Sequence, residues 1–421
     1  MLKHIFKLVW NRRKENMLTA IQICAAFLVM ALLFTQSVQY LRNYLKPLGF
    51  EYKNVWTVNI DTKTSRFDWN RENAEKLERL YREIKAFQEV ESVAGSYTLP
   101  FLQWNWTSGD SAIGKFIIVE REFVTDDYAE TMKLNLTQGR WFEKSDDALG
   151  YTPAVINERL AKAYFGDESP IGKRIFPRFP RGDDKSSGDP TENRREARRE
   201  ERVVGVVSDF RKFGELSNPL YFAFRRTAES DSLMSSPPRC VLIKVTHAGM
   251  VAAFEEKLVK RLEQLTPEWS FRIASLEKMR ETYLKETLTP LISFAVIGGF
   301  LIVMVALGLV GVVWQNVTRR TREIGLRRAI GSTATVIYAQ VLGELLAITT
   351  FAVIFGALIF IQIPLLNLTE VVGWSLVIQL ENYLIGLGAA VGAVYVIAGL
   401  CALYPSTMAT RVAPVQALRY E

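Results

Sequence analysis

Hydrophobic positions along this chain fall into two regimes. Residues 17–41, 287–317, 333–363 and 382–404 are almost unbroken apolar runs whose only charged side chain is Glu344. A helix that crosses a bilayer core needs about 20 apolar residues, so each run is long enough to span. Between the first and second runs the pattern changes to short alternations and amphipathic stretches. Residues 55–60 alternate in the manner of a strand. Ala74, Leu77, Leu80, Tyr81, Ile84, Phe87 and Val90 recur at three- and four-residue spacing, which predicts a helix over residues 73–90 packed on a sheet. Strands are expected at 115–120, 153–157, 203–207, 240–245 and 271–274. Helices are expected at 158–165, at 249–265 through Val251, Phe254, Leu258 and Leu262, and at 275–286 running toward the second span. The predicted architecture is a membrane protein of four transmembrane α-helices, with a large α+β extracytoplasmic domain over residues 42–286 inserted between the first and second.

Charge orients this arrangement. Lys3, Lys7, Arg12, Arg13 and Lys14 precede the first span, and Arg319, Arg320, Arg322, Arg327 and Arg328 lie between the second and third. Cytoplasmic loops carry the excess of Lys and Arg. The tail 1–16, the segment 318–332 and the tail 405–421 are therefore expected inside. The loop 364–381 has Glu370 and Glu381 but no Lys or Arg, and is expected outside. The net charge of +7 is then a topology signal rather than the patch on a folded domain that a nucleic-acid partner needs. The multi-pass placement makes lipid a partner.

Candidate chemistry is sparse. His247 is the one imidazole of the outside domain, since His4 lies in the tail, so a nucleophilic triad or a histidine-rich metal site would rest on it alone. Of three cysteines only Cys240 lies outside the spans, which leaves that domain to be held by packing. The run from Gly166 to Gly172-Lys173-Arg174 imitates a phosphate loop, but it has one residue too many between its glycines and ends in Arg. The chain is expected to be no enzyme and to hold no cofactor, so that any ATP hydrolysis, with its ATP and Mg, must come from another chain. Trp104 and Trp106 occupy a loop-like context. Residues 177–202 alternate charges of both signs with almost nothing apolar, and are expected to form a mobile loop joining two strands.

Three features remain in and beside the spans. Glu344 sits deep in the third, with Gln340 one turn earlier to share a proton. Residues 388–392 and 295–299 are small-xxx-small faces suited to close helix contact. In segment 318–332, Glu323 and Arg327 form an i,i+4 pair, while Leu326, Ala329 and Ile330 make a small apolar face. Gly331 is placed to end that helix, and Ser332 or Thr333 to cap the next.

Residues 322–332, Arg-Glu-Ile-Gly-Leu-Arg-Arg-Ala-Ile-Gly-Ser, followed by Glu344, resemble the hallmark of the FtsX/MacB-type ABC transporter permease. The closing stretch 404–419 is similar to that family's terminus, although Thr407 and Met408 stand where basic residues are frequent. Asp127-Tyr128, Gly139-Arg140-Trp141-Phe142, Val155-Ile156-Asn157, Pro170-Ile171-Gly172-Lys173 and Val204 through Asp209-Phe210 resemble the MacB-like periplasmic core domain. The charged stretch from Pro177 is unusually long for it. The resemblance implies a bacterial inner-membrane permease with both termini cytoplasmic. It implies a pair of permeases, identical or not, bound to a separate cytoplasmic ATPase, with a periplasmic adaptor or outer-membrane channel as further partners. Arg319, Arg320, Glu323, Ile324, Gly325, Arg327, Arg328, Ala329 and Gly331 would form the coupling surface, with Gln340 and Glu344 as polar support within the third span. Such a permease transmits ATP-driven motion to its outer domain for efflux or for lipoprotein or peptide handling. The alternative is a regulator that activates a cell-wall hydrolase or signals to a sensor kinase.

Overall fold

A computed structural model describes residues 13–62, 71–102, 106–110, 117–176, 200–227, 239–246, 251–365 and 380–410. The chain divides into two compact units, Met1–Arg42 with Thr287–Glu421, and Asn43–Glu286. In chain order it begins with α1 (Arg13–Tyr44), β1 (Val55–Asp61), α2 (Arg71–Lys85), β2 (Val90–Ser96), β3 (Trp106–Asp110) and β4 (Ile117–Val124). There follow α3 (Tyr128–Thr131), β5 (Leu136–Gly139), β6 (Thr152–Asn157), α4 (Glu158–Phe165), β7 (Arg174–Ile175), β8 (Glu201–Val207) and β9 (Tyr221–Arg226). The chain continues with β10 (Cys240–Val245), α5 (Val251–Leu265), β11 (Ser270–Ser275), α6 (Leu276–Arg319), α7 (Thr321–Ala329), α8 (Ala334–Leu365) and α9 (Leu380–Thr410).

Among the described residues four helices are long and apolar enough to cross a membrane: α1 from Met17, α6, α8 and α9. All overrun the expected spans, because helical backbone hydrogen bonding continues past the ends of the apolar stretch. Their shared core is built from Phe27, Met30, Leu309, Val313, Leu345, Phe360 and Val394, with Ala390, Ala398 and Ala402 letting helices approach. Within the two expected small-residue faces, Ala390 is buried in this core and Gly298 packs on α1, where a Cβ would lie 2.7 Å from Leu33 Cδ1. Ala295 is exposed, and a side chain at Gly299, Gly388 or Gly392 would meet open space. A closer approach is at Gly386, where a Cβ would lie 2.5 Å from Thr35 Cα.

The described residues of the second unit form one 11-stranded mixed sheet in the order β11-β1-β10-β2-β4-β9-β6-β8-β5, with β3 on β4 and β7 on β8. The β4–β9 and β6–β8 pairs are parallel and the rest antiparallel. β10 shows why the sheet is two-faced. Val241 and Ile243 pack among Leu77, Leu80, Ile84, Phe254 and Leu258 from α2 and α5, whereas Cys240 and Leu242 point into an aromatic cluster of Phe50, Phe101, Phe210, Phe222 and Phe224. Alternate residues of a strand face opposite sides, and both sides are covered here, so the strand reads as nearly continuous apolar sequence. α4 closes a third cluster with Val119, Ala154, Ile156 and Val206.

Several expectations need correction. The helix expected over 73–90 ends at Lys85, and Val90 opens β2. Phe87 and Val90 still join the α2 core cluster, which is why their spacing imitated a longer helix. Trp106 begins a strand paired with β4, Trp106 opposite Arg121, rather than sitting in a loop; Trp104 lies outside the described residues. Of the charged stretch 177–202, residues 177–199 lie outside them as well. Glu201 and Arg202 belong to β8, where Glu201 is tolerated because Arg225 and Arg121 surround it. β2 and β9 were not anticipated.

Candidate coupling segment and buried ion pairs

α7 is nine residues long and is set between α6 and α8 by its own backbone chemistry. Only Arg320 separates it from α6, and Ile324 N donates to Arg320 O at 2.9 Å as its helical bonding restarts. It stops at Gly331, whose φ of 101° suits glycine, with Ser332 N bonded to Arg327 O at 3.0 Å. That bond, from the second residue past the cap back across the turn, is the Schellman closure.

The nominated residues divide between two faces. Ile324 and Gly325 are buried, Ile324 against Ile337 of α8 with Val317 and Val341 packed beside them. Arg319, Glu323 and Ala329 are exposed, as are Leu326, half exposed, and Ile330, 79% exposed. Arg327 faces both ways: Nη2 donates to Glu323 Oε1 at 2.6 Å, and Nη1 donates to Gln340 Oε1 at 2.5 Å on α8. The side chain of Arg328 lies outside the described residues.

Glu344 is not the isolated carboxyl that the span pattern suggests. Arg320 Nη1 reaches both of its oxygens, at 2.8 and 2.9 Å, with the two side chains 13% and 15% exposed. Gln340 Nε2 adds a bond to Oε1 at 3.3 Å. Glu323, Arg327, Gln340, Glu344 and Arg320 thus form one polar chain from α7 into α8 and back to the end of α6. The spacing of Gln340 and Glu344 pointed to their contact. The bond to Arg320 crosses between helices and has no local sequence signature.

In the α/β unit, the motif that imitates a phosphate loop is otherwise engaged. Gly172 N donates to Val203 O at 2.8 Å, and Lys173 pairs with Glu168 over the Phe165 ring. His247 lies outside the described residues. Among the described residues no group of His, Cys, Asp and Glu is arranged to hold a metal.

The buried charges here escaped sequence reasoning. Lys212 and Glu122, each 2% exposed, pair at 2.7 Å, and Thr98 bonds to both. Cys240 lies nearby with its Sγ 3.8 Å from Tyr97 O; burial, reinforced by the Glu122 charge, pushes its thiol up to about 12. Burial likewise pushes the Tyr128 phenol well above its ordinary range. These groups are sealed inside the domain and held neutral or paired, the condition of structural rather than reactive side chains. Asn157 is fully buried: Oδ1 accepts from Leu160 N and Phe222 N, both at 3.1 Å, while Nδ2 donates to Leu220 O at 2.8 Å and Asp209 Oδ1 at 3.2 Å.

Four membrane-length helices, one large α/β insertion after the first, and a short helix between the second and third define a multi-pass membrane permease. The MacB-like periplasmic core domain matches residues 17–261, and the FtsX-like permease C-terminal domain matches residues 292–414. The chain belongs to this family of ABC transporter permeases. Macrolide export ATP-binding/permease protein MacB of Chlorobium luteolum is 25% identical over 367 residues, covering 86% of this chain and 49% of its own length. The ABC transporter permease YknZ of Bacillus subtilis, described as uncharacterized, is 23% identical over 307 residues, covering 71% and 69%. The chain spans about half the length, or less, of the MacB proteins it matches. The crystal structure of the periplasmic region of MacB from Actinobacillus actinomycetemcomitans aligns with 57% of this chain and 96% of its own, at 18% identity and a TM-score of 0.37.

Proposed function

We propose that this chain is a permease subunit that converts ATP hydrolysis by a separate ATPase into movement of the Asn43–Glu286 domain outside the membrane, in the service of efflux or of lipoprotein or peptide handling. Both termini and α7 lie in the cytoplasm. Two permease copies, identical or paired with a relative, form the working unit, and an efflux assembly would add a periplasmic adaptor and an outer-membrane channel. The chain itself performs no hydrolysis.

The observation that carries this reading is the two-sidedness of α7. Ile324 and Arg327 hold one face on α8, while Leu326, Ala329 and Ile330 expose the other. Exposed apolar side chains at i, i+3 and i+4 are the pattern of a helix laid into a groove of a partner. A push on that face passes through Arg327–Gln340 and Arg320–Glu344 into α8 and the end of α6. The near absence of charge in the spans agrees with force transmission rather than with a polar conduit.

The test uses the full-length permease coexpressed with its ATPase. Leu326→Asp with Ile330→Asp is expected to cut ATPase copurification by about tenfold or more, as loss of a central apolar anchor does, while membrane insertion persists. Unchanged copurification would refute the docking role of α7.

A further inference from the structure

The chain enters the α/β unit at Asn43, the end of α1, and leaves it at Glu286 along α6. Within that unit both crossings are gripped by one loop, residues 209–218 between β8 and β9.

The first crossing is held mainly by Arg211, which is 2% exposed. Its Nη1 donates to Asn43 O at 2.6 Å and Lys46 O at 3.1 Å; Nη2 donates to Glu215 O and to Ser217 O, the latter at 2.6 Å. Asn43 O, which also accepts from Lys46 N at 3.1 Å, lies in the last turn of α1 and Lys46 O just beyond it, where a positive charge complements the helix dipole. Asn43, fully buried, returns the contact: its Nδ2 donates to Leu216 O at 3.2 Å and Asn218 Oδ1 at 2.9 Å. Arg211 N donates to Leu48 O at 2.9 Å. Gly49, at φ 82°, lies so close to Asp209 O that a Cβ would sit 1.9 Å from it, so only glycine lets the chain pass over the loop.

The second crossing meets the same loop from the other side. Arg280 of α6 pairs with Glu215 and lies 4.7 Å over the Tyr52 ring. Tyr283 and Phe101 close over Gly214. Between these two grips, Lys212 fastens the loop to Glu122 and Thr98 of the sheet region. Three successive charged functions, Arg211, Lys212 and Glu215, thus address the first crossing, the sheet and the second crossing in turn.

We infer that loop 209–218 is a joint that makes the two crossings of the α/β domain move as one, with Arg211 and Glu215 as the positioning residues that pass a displacement of either to the other. Its use in energy coupling rests on the function proposed above; its mechanics do not. Two independent anchors would each have their own contacts on the sheet, and loosening one would leave the other unaffected. Here Arg211 donates to the backbone of Glu215, whose side chain holds Arg280, so the grips share a residue.

Hydrogen exchange with mass spectrometry on the purified full-length permease tests this, with no ATPase present. Arg280→Met releases only the second crossing. It is expected to raise exchange at residues 43–48, on the first crossing, by about threefold or more, and to leave β10 protected as before. Arg280→Lys, which keeps the ion pair, is expected to restore most of that protection. Unchanged exchange at 43–48 would mean independent anchors and overturn the proposal. An equal rise in β10 would mean general loosening of the fold and overturn it too. Neither result bears on α7 docking, which the copurification test reads separately.

Discussion

Lys212 and Glu122 form a buried pair in which each is the other's counter-charge and Thr98 bonds to both, so their substitutions are predicted to be strongly non-additive. Lys212→Met alone leaves a buried carboxylate and is expected to cost about 3–5 kcal/mol, whereas Lys212→Met with Glu122→Leu should cost far less; thermal unfolding of the purified permease reads both. Asn157 serves four backbone and side-chain partners at once. Asn157→Ala strands two buried N–H groups, Leu160 N at the start of α4 and Phe222 N, an expected loss of about 2–4 kcal/mol measured the same way. Cys240 carries a pH prediction. Its folded value, about 12, stands above the ordinary 9.0, so its contribution to stability is complete below pH 9 and is lost as the pH rises toward 12. At pH 8 the folded permease should therefore leave Cys240 unmodified by a maleimide, and unfolding should expose it.

At the scale of elements, α7 and α8 are joined by one apolar contact and one polar chain, and each makes a separable prediction. Glu344→Gln keeps the shape of the side chain but removes the charge that balances Arg320. It is expected to leave ATPase copurification intact and to lower permease-stimulated ATP hydrolysis by about tenfold, the scale of one charge-assisted hydrogen bond. Arg320→Gln with Glu344→Gln, which leaves no buried charge, should recover part of that rate. The spans and α7 were legible beforehand because hydropathy and capping are local: an unbroken apolar run, an i,i+4 pair and a glycine at a helix end declare themselves within a few residues. β10, β6 and α4 were legible for the same reason. β2 was not, because Phe87 and Val90 continue the spacing of α2 while belonging to the turn and strand after it. Arg320–Glu344, Lys212–Glu122 and the grip of Arg211 on Asn43 join positions 24, 90 and 168 residues apart, which no periodicity brings together.

For the whole molecule, the Asn43–Glu286 unit joins the membrane-length helices through two crossings, and α7, between α6 and α8, exposes Leu326, Ala329 and Ile330. The proposed function requires that ATP hydrolysis by the partner registers in the Asn43–Glu286 unit. The most direct measurement is a pulsed EPR distance between a spin label at Glu75→Cys on α2 and one at Leu384→Cys on α9, both exposed positions, in the permease reconstituted with its ATPase. Cys24, Cys240 and Cys401 are buried and compete little for label. The account predicts that the distance distribution shifts between the ADP-bound and the vanadate-trapped states, and that Leu326→Asp with Ile330→Asp abolishes the shift. Identical distributions in the two nucleotide states, with the ATPase bound and turning over, would contradict it.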